Sequence, residues 1–378
     1  MKKKLTALAI LPLLLSCSNK GKAELGDYLK SLPLFDSSHH SLRVLQLTDI
    51  HWNLTTDMDK QSAYINALVK NASPDLVMIT GDQVLTANKE NYETLFDLFE
   101  SWSALLKRDV YYGLTWGNHD QQGYWDAYYS GRLAGRYDHS LYTEVDDDLT
   151  GESNYVINLT DSSGKTLWQL YALDTNSLAY SFPDFNYSYD TVHDEQVDWF
   201  EEEVKLAQKS NPDVKNVVYF HIPLWETEYA YRLAMGDKLS DYSGCEGEIR
   251  RYSGEIREAR KSRSPLGPSN MGTSATRSKF FSVAESLGAS VAMFYGHDHI
   301  NSFAAEYRLS GKDDYISLIY GLKTGDGLYY GKELLGGTLI TINDDMSYSL
   351  ARCFQSYEDS YDGGAGYKEE AMYQEESK

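Results

Sequence analysis

The apolar and polar positions of this chain alternate between short buried runs and helical stripes. LRVLQLTD (42–49) predicts a strand that ends in polar residues. Met58, Ile65, Leu68 and Val69 fall on one face of a helix. Pro74-Asp75 marks a turn, and DLVMITGD (75–82) a second, buried strand. Leu95, Phe96, Leu98, Phe99, Trp102, Leu105 and Leu106 make a helical stripe across 90–107, and VYYGLTWGNHD (110–120) reads as a third strand and loop. Paired strands are expected at 153–159 and 167–173, a helix at 193–209 and a strand at 214–221. The stretch 226–275, rich in Gly, Ser and charge, reads as irregular. A helix at 275–287 leads to the strand SVAMFYGH, and antiparallel strands are expected near 302–308, 316–320, 337–342 and 347–352. Strand and helix in alternation predict an α/β domain.

The two ends of the chain read differently. Lys2, Lys3 and Lys4 precede an apolar run, Leu5 to Leu15, that is too short to span a bilayer as a helix. Leu14-Leu15-Ser16-Cys17 follows and resembles a bacterial lipobox. That resemblance implies a signal peptide at 1–16, a lipidated Cys17, a polar tether at 17–41 and an extracytoplasmic, membrane-anchored protein at the cell surface or the periplasmic face. One large domain is expected over 42–355. Residues 356–378 lack periodicity and are expected to be a disordered tail.

The formal net charge is −21, which argues against general nucleic-acid binding, because that needs a basic surface to meet phosphates. A single local positive site could still receive a small anion. Cys245 and Cys353 lie far apart in sequence and have no neighbouring cysteine, so a thiolate zinc cluster is not expected.

Chemistry enters where the predicted strands stop. Asp49 and His51 follow the first, Asp82 the second, and Asn118, His119 and Asp120 the third. His221 ends VVYFH, and His297 and His299 follow the last parallel-type run. In open α/β sheets, sites form at the carboxyl ends of strands. Carboxylate and amide oxygens mixed with imidazole nitrogens suit Mn, Fe or Zn. Seven such donors exceed what one tetrahedral ion takes. They suit two ions about 3.5–4 Å apart sharing a carboxylate, an arrangement that hydrolyses phosphate esters without a serine or cysteine nucleophile.

These blocks, Asp49-Ile50-His51, Gly81-Asp82, Gly117-Asn118-His119, His221 and Gly296-His297-Asp298-His299, resemble in order the pattern of the calcineurin-like metallophosphoesterases. HIPLWE (221–226), LYALDTNS (170–177), GHDHINSF (296–303) and IYGLKTGDGLYYGKELLGG (319–337) are further similar to the inactive-type purple acid phosphatases. The resemblance implies a four-layer α/β/β/α sandwich of two mixed sheets flanked by helices. It implies that Asp49, His51 and His299 hold one metal, that Asn118, His221 and His297 hold the other, and that Asp82 bridges them. His119 would protonate the leaving oxygen as a general acid; Asp120 is read either as orienting a ligand histidine or as a solvated loop residue. Purple acid phosphatases have a tyrosine three residues after the GD aspartate; here that residue is Leu85, and no purple chromophore is expected.

The expected activity is hydrolysis of a phosphomonoester or small phosphodiester by a metal-bound hydroxide. A non-catalytic metal- or ligand-binding lipoprotein of the same fold and an extracellular nuclease are the competing readings. The expected partners are a small phosphorylated substrate and, through the lipid, a membrane. Asp174 is read either as a site residue or as a turn cap. The basic segment RRYSGEIREARKSR (250–263) is read as an amphipathic surface helix in preference to a lid over an anionic substrate.

Overall fold

The structure is a computed structural model of the 378-residue chain. It describes residues 22–24, 35–36, 38–53, 57–123, 125–143, 149–181, 186–236, 247–257, 272–274, 276–311, 313–358 and 366–373. Cys17, the lipobox and Cys245 lie outside the described residues.

Its elements in chain order are β1 (Lys22–Glu24), β2 (Ser41–Leu47), α1 (Met58–Ala72), β3 (Leu76–Thr80), α2 (Lys89–Leu106), β4 (Tyr111–Thr115) and α3 (Ala127–Ala134). Then come β5 (Tyr155–Thr160), β6 (Thr166–Ala172), β7 (Leu178–Ser181), β8 (Asn186–Tyr189), α4 (Asp194–Ser210), β9 (Lys215–Tyr219), α5 (Trp225–Ala234) and β10 (Glu248–Ser253). The last are α6 (Phe280–Leu287), β11 (Ser290–Tyr295), β12 (Ala304–Arg308), β13 (Ile316–Tyr320), β14 (Gly336–Asn343), β15 (Tyr348–Gln355) and β16 (Tyr367–Ala371). Short polar side chains set two of the helix starts. Asp57 accepts from the Lys60 N–H (3.1 Å) and Asn88 from the Asn91 N–H (2.9 Å).

The strands form two mixed sheets and a hairpin, β7–β8. The larger sheet runs β1-β5-β6-β9-β11-β13-β12-β10 and the smaller β16-β15-β14-β2-β3-β4. Side-chain alternation assigns the layers. In β9 and β11, Val217, Tyr219, Ala292 and Phe294 share one core with the smaller sheet and with α1 and α2. Their neighbours Val218, Met293 and Tyr295 share the other core with α4, α5 and α6. Gln46 of β2 ties the sheets together, donating to Thr80 Oγ1 (2.8 Å) and to the Tyr295 carbonyl of the larger sheet (3.1 Å). The result is an α/β/β/α sandwich, the fold the resemblance implies. No described helix is long and apolar enough to cross a membrane.

Several local expectations are corrected. The stretch 226–275 contains α5 and β10 rather than irregular chain alone. Residues 250–253 belong to β10 and are not helical. Their exposure alternates along an edge strand, and the pairing with β12 is antiparallel with a bulge between Ile249 and Arg251. Arg250 and Arg251 turn to Glu306 on β12 (2.6 and 2.8 Å), and Arg257 pairs with Glu255 and Glu333. β13 is antiparallel to β12 but parallel to β11. The expected tail contributes β16, antiparallel to β15, with Met372 buried just beyond it. The expected tether supplies β1, parallel to β5. Its backbone is satisfied by an existing edge, which residue pattern alone does not reveal. Cys353 is a free, buried thiol.

Candidate metal centre

The site lies where five parallel strands end. β2, β3 and β4 come from the smaller sheet and β9 and β11 from the larger. Beyond the strands the loops stay in register. The Asp49 N–H donates to the Gly81 carbonyl (3.1 Å), the His51 N–H to that of Asp82 (3.0 Å), and the Gly296 N–H to that of His221 (3.1 Å). Asp49, His51, Asp82 and His297 have φ of 52°, 50°, 49° and 79°. Side-chain-bearing residues rarely take this left-handed region, and such outliers cluster at functional sites. Glycines make the close approach possible. A Cβ at Gly117 would lie 2.3 Å from Asp82 Oδ1, and one at Gly296 would lie 2.4 Å from Asp49 Oδ2.

Two groups of donors result. Atoms of Asp49, His51, Asp82 and His299 all lie within 4.8 Å of one another, as do atoms of Asp82, His221 and His297. Asp82 belongs to both. Its Oδ2 is 3.6 Å from His51 Nε2 and 3.3 Å from His221 Nε2. His299 Nε2 is 3.4 Å from Asp49 Oδ1 and 3.0 Å from His51 Nε2. The far ring nitrogens are held elsewhere. His221 Nδ1 contacts the Thr80 carbonyl (2.9 Å) and His299 Nδ1 that of Tyr329 (3.0 Å), so each Nε2 is aimed inward. His119 is half-buried, its backbone N–H donates to Asp82 Oδ1 (2.8 Å), and its ring stands edge-on to His51 at 5.0 Å.

Electrostatics and unmet hydrogen bonds test the fit to cations. Asp49 Oδ1, Asn118 Oδ1 and His221 Nε2 are buried and make no hydrogen bond. Buried polar atoms are ordinarily satisfied, so these three call for a partner. Burial alone would raise the pKa of Asp49 and of Asp82, but the surrounding imidazoles outweigh it and hold both well below the ordinary value. Burial would lower His221, but Asp82 outweighs it and lifts the imidazole to about 10. His51 goes the other way, to about 3, through burial and the charge of Lys323. Two carboxylates are thus demanding positive charge at a point where imidazole nitrogens also face. That donor set fits a dinuclear His/Asp metal site.

Six of the seven proposed ligands are brought together in these two groups. Asn118 joins them as a buried amide on the same loop as His119. Asp120 is a correction. It is buried, not solvated, and orients backbone instead of a histidine. It accepts from the N–H groups of Gln83 (3.0 Å) and Gly117 (2.8 Å) and from the Tyr92 hydroxyl (2.8 Å), tying the GD loop to the GNHD loop. Burial and the charge of Asp82 raise its pKa. Asp174 caps a turn, accepting from the N–H groups of Glu152 (2.9 Å) and Asn176 (2.7 Å).

The residue-level reading missed Lys323. It is 1% exposed and donates from Nζ to the Asp49 carbonyl (2.7 Å). Burial lowers its pKa to about 8, against the opposing pull of Asp49, Asp82 and Asp326. Its signal was a lone lysine in a buried run, Leu322 to Thr324. Tyr189 and Tyr329 were missed as well. Tyr189 stands edge-on to His297 at 4.1 Å and Tyr329 stacks on His299 at 4.3 Å.

Known proteins resemble this chain. The chain is 23% identical over 301 residues to the probable inactive purple acid phosphatase 14 of Arabidopsis thaliana, covering 70% of this chain and 67% of that one. It is 26% identical over 293 residues to the probable inactive purple acid phosphatase 29 of the same plant, covering 71% and 64%. The chain therefore spans about two thirds of the length of these relatives. A solved structure of a dimetal phosphatase from Danio rerio matches with a TM-score of 0.45 at 10% identity, over 89% of this chain and 100% of that one. A family model described as calcineurin-like phosphoesterase matches residues 42–301. That match covers more than half of the chain, from the strand before Asp49 to just past His299, and the chain belongs to the calcineurin-like phosphoesterase family.

Proposed function

We propose that the protein is a dinuclear-metal phosphoesterase acting on a small phosphomonoester or phosphodiester. The observation that carries this reading is the pair of donor groups sharing Asp82, with His119 half-buried beside them. Asp49, His51, His299 and Asp82 would hold one ion, and Asn118, His221, His297 and Asp82 the other. Bound there, two Mn, Fe or Zn ions would supply Lewis-acid polarisation of the phosphoryl group and acidify water. The chain's own groups do the rest. The Thr80 and Tyr329 carbonyls fix the imidazole tautomers, Asp82 links the two halves, and His119 gives a proton to the leaving ester oxygen.

A second reading is favoured by one observation: two of the relatives are named inactive. It makes this chain a metal-binding protein without turnover. Metal content by mass spectrometry, with assays on p-nitrophenyl phosphate and bis-p-nitrophenyl phosphate after Mn, Fe or Zn reconstitution, separates the two. The enzyme reading expects about two ions per chain, metal-dependent turnover, and a His119→Gln variant that keeps both ions but loses about 10²–10⁴-fold in kcat. Two ions without turnover would establish the second reading.

The amino-terminal pattern supports an extracytoplasmic protein anchored through Cys17. Radiolabelled palmitate should enter the full chain and not a Cys17→Ser variant; equal labelling would sink the anchor.

A further inference from the structure

The family match ends at residue 301, but the site does not. The segment Lys323–Gly327 lies flush against the loop that carries Asp49 and His51. The Thr324 N–H donates to the Thr48 carbonyl (2.8 Å), and the Thr324 hydroxyl accepts from the Thr48 N–H (3.1 Å). The Asp49 carbonyl receives two donors, Lys323 Nζ at 2.7 Å and the Gly325 N–H at 3.3 Å. A Cβ at Gly325 would lie 1.7 Å from the Ile50 carbonyl oxygen, and one at Gly327 would lie 2.6 Å from that of His51. Both glycines are therefore set by contact with the ligand loop, whatever their own backbone requires.

This contact faces the strained part of the site. Asp49 and His51 both hold left-handed backbone, and residues in such conformations persist only when their surroundings over-determine them. A salt bridge or a hydrophobic side chain would serve folding better than a buried ammonium bonded to a carbonyl. Burying an ammonium opposes folding, even with the charges of Asp49, Asp82 and Asp326 acting on it. A group that is costly to bury, aimed at the backbone of a proposed ligand, is the mark of a functional demand.

We propose that Lys323–Gly327 is a clamp for the first metal subsite, with Lys323 as a positioning residue that holds the Asp49 peptide so that Asp49 and His51 present their donors together. The proposal rests on the metal-centre reading above. Lys323 gives its hydrogen bond to the Asp49 carbonyl, not to an inward-facing imidazole nitrogen, and acts through that peptide.

The full-length chain as Lys323→Met tests it, compared with wild type and with Lys323→Arg. Metal-free protein is titrated with Zn²⁺ against a chromophoric chelator. It is then titrated with Co²⁺, whose visible absorption reports ligand geometry. Melting temperatures of the metal-free proteins are measured alongside. Lys323→Met should melt at or above the wild-type temperature, since a costly cation has gone. It should lose tenfold or more in affinity at one of two sites, the range seen when groups that orient metal ligands are removed. Its Co²⁺ spectrum should change, and Lys323→Arg should restore part of the affinity. Two unaltered affinities and an unaltered spectrum in Lys323→Met would overturn the clamp and leave the metal centre standing. A Lys323→Met melting well below wild type, with affinity lost equally at both sites, would also overturn it, by showing a purely structural role. Wild-type protein that binds no ion at all would overturn the metal-centre reading together with the clamp.

Discussion

At the scale of single residues, the site is a set of donors whose places are decided by backbone that other groups hold in position. Asp82 illustrates this: its φ is 49°, its Oδ1 accepts from the His119 N–H, and its Oδ2 faces two imidazoles. It serves both donor groups, whereas Asn118 would serve one. An Asp82→Ala variant should therefore fall from about two bound ions toward none, and Asn118→Ala from two to one, as read by mass spectrometry of the purified proteins. Equal losses in the two variants would remove Asp82 from the shared position. The donors were legible in the sequence because imidazoles and carboxylates just after apolar runs are chemically conspicuous. Asp120 and Lys323 were not. Asp120 sits in the same motif as the donors, yet its partners are backbone N–H groups and a tyrosine brought in from α2. Nothing local distinguishes that role from a ligand-orienting one.

At the scale of elements, helices and buried strands followed their periods, and the errors fell where charge is dense. β10 was hidden by arginines that suggested a helix face. Its pattern is a half-exposed edge strand whose basic residues are answered by one acid on the neighbouring strand. Glu306 is 2% exposed, and burial alone would raise its pKa, but Arg250 and Arg251 outweigh burial and lower it. A carboxylate whose folded pKa is depressed contributes stability that is whole above its unfolded value. That contribution fades as pH falls through the lower, folded value. The arginines are 53% and 41% exposed, so solvent screens the pairs. A Glu306→Gln variant should lose about 1–2 kcal/mol at pH 7, the scale of a screened charge-assisted pair. The difference from wild type should shrink below about pH 4.5, as urea unfolding at a series of pH values would show. A gap that widens on acidification would contradict the assignment. The same crowding of charge and tyrosine near the carboxyl terminus concealed β16, which pairs through backbone and gives its side chains little apolar period.

At the scale of the whole molecule, β16 closes one end of the smaller sheet and leads to residues that reach the larger one. Met372 is 2% exposed, and Tyr373 places its ring 4.5 Å from the guanidinium of Arg251 on β10. Deleting 366–378 should uncover the edge of β15 and remove at least one buried apolar side chain. The expected loss is about 2–3 kcal/mol, with aggregation through the freed edge. Thermal unfolding and light scattering of the deletion would check both, and an unchanged melting temperature would show that β16 merely decorates the edge. The layer order was legible because strand–helix alternation and the family pattern agreed. The small strands at the two ends were not, since an edge accepts any chain with free backbone groups.

The sheet order also sets a sequence in time. β2, β3 and β4 carry Asp49, His51, Asp82 and Asn118 within the first third of the chain, but in the smaller sheet β2 is flanked by β14. Their partners His297 and His299, and the lysine beneath Asp49, come some 200 residues later. Contacts so distant along the chain form slowly. A nascent or half-folded chain therefore holds the early donors Asp49, His51, Asp82 and Asn118 without the imidazoles of His297 and His299. If the proposed centre binds its ions, full capture would wait until the last quarter of the polypeptide has docked, and metal loading would then report that folding is complete.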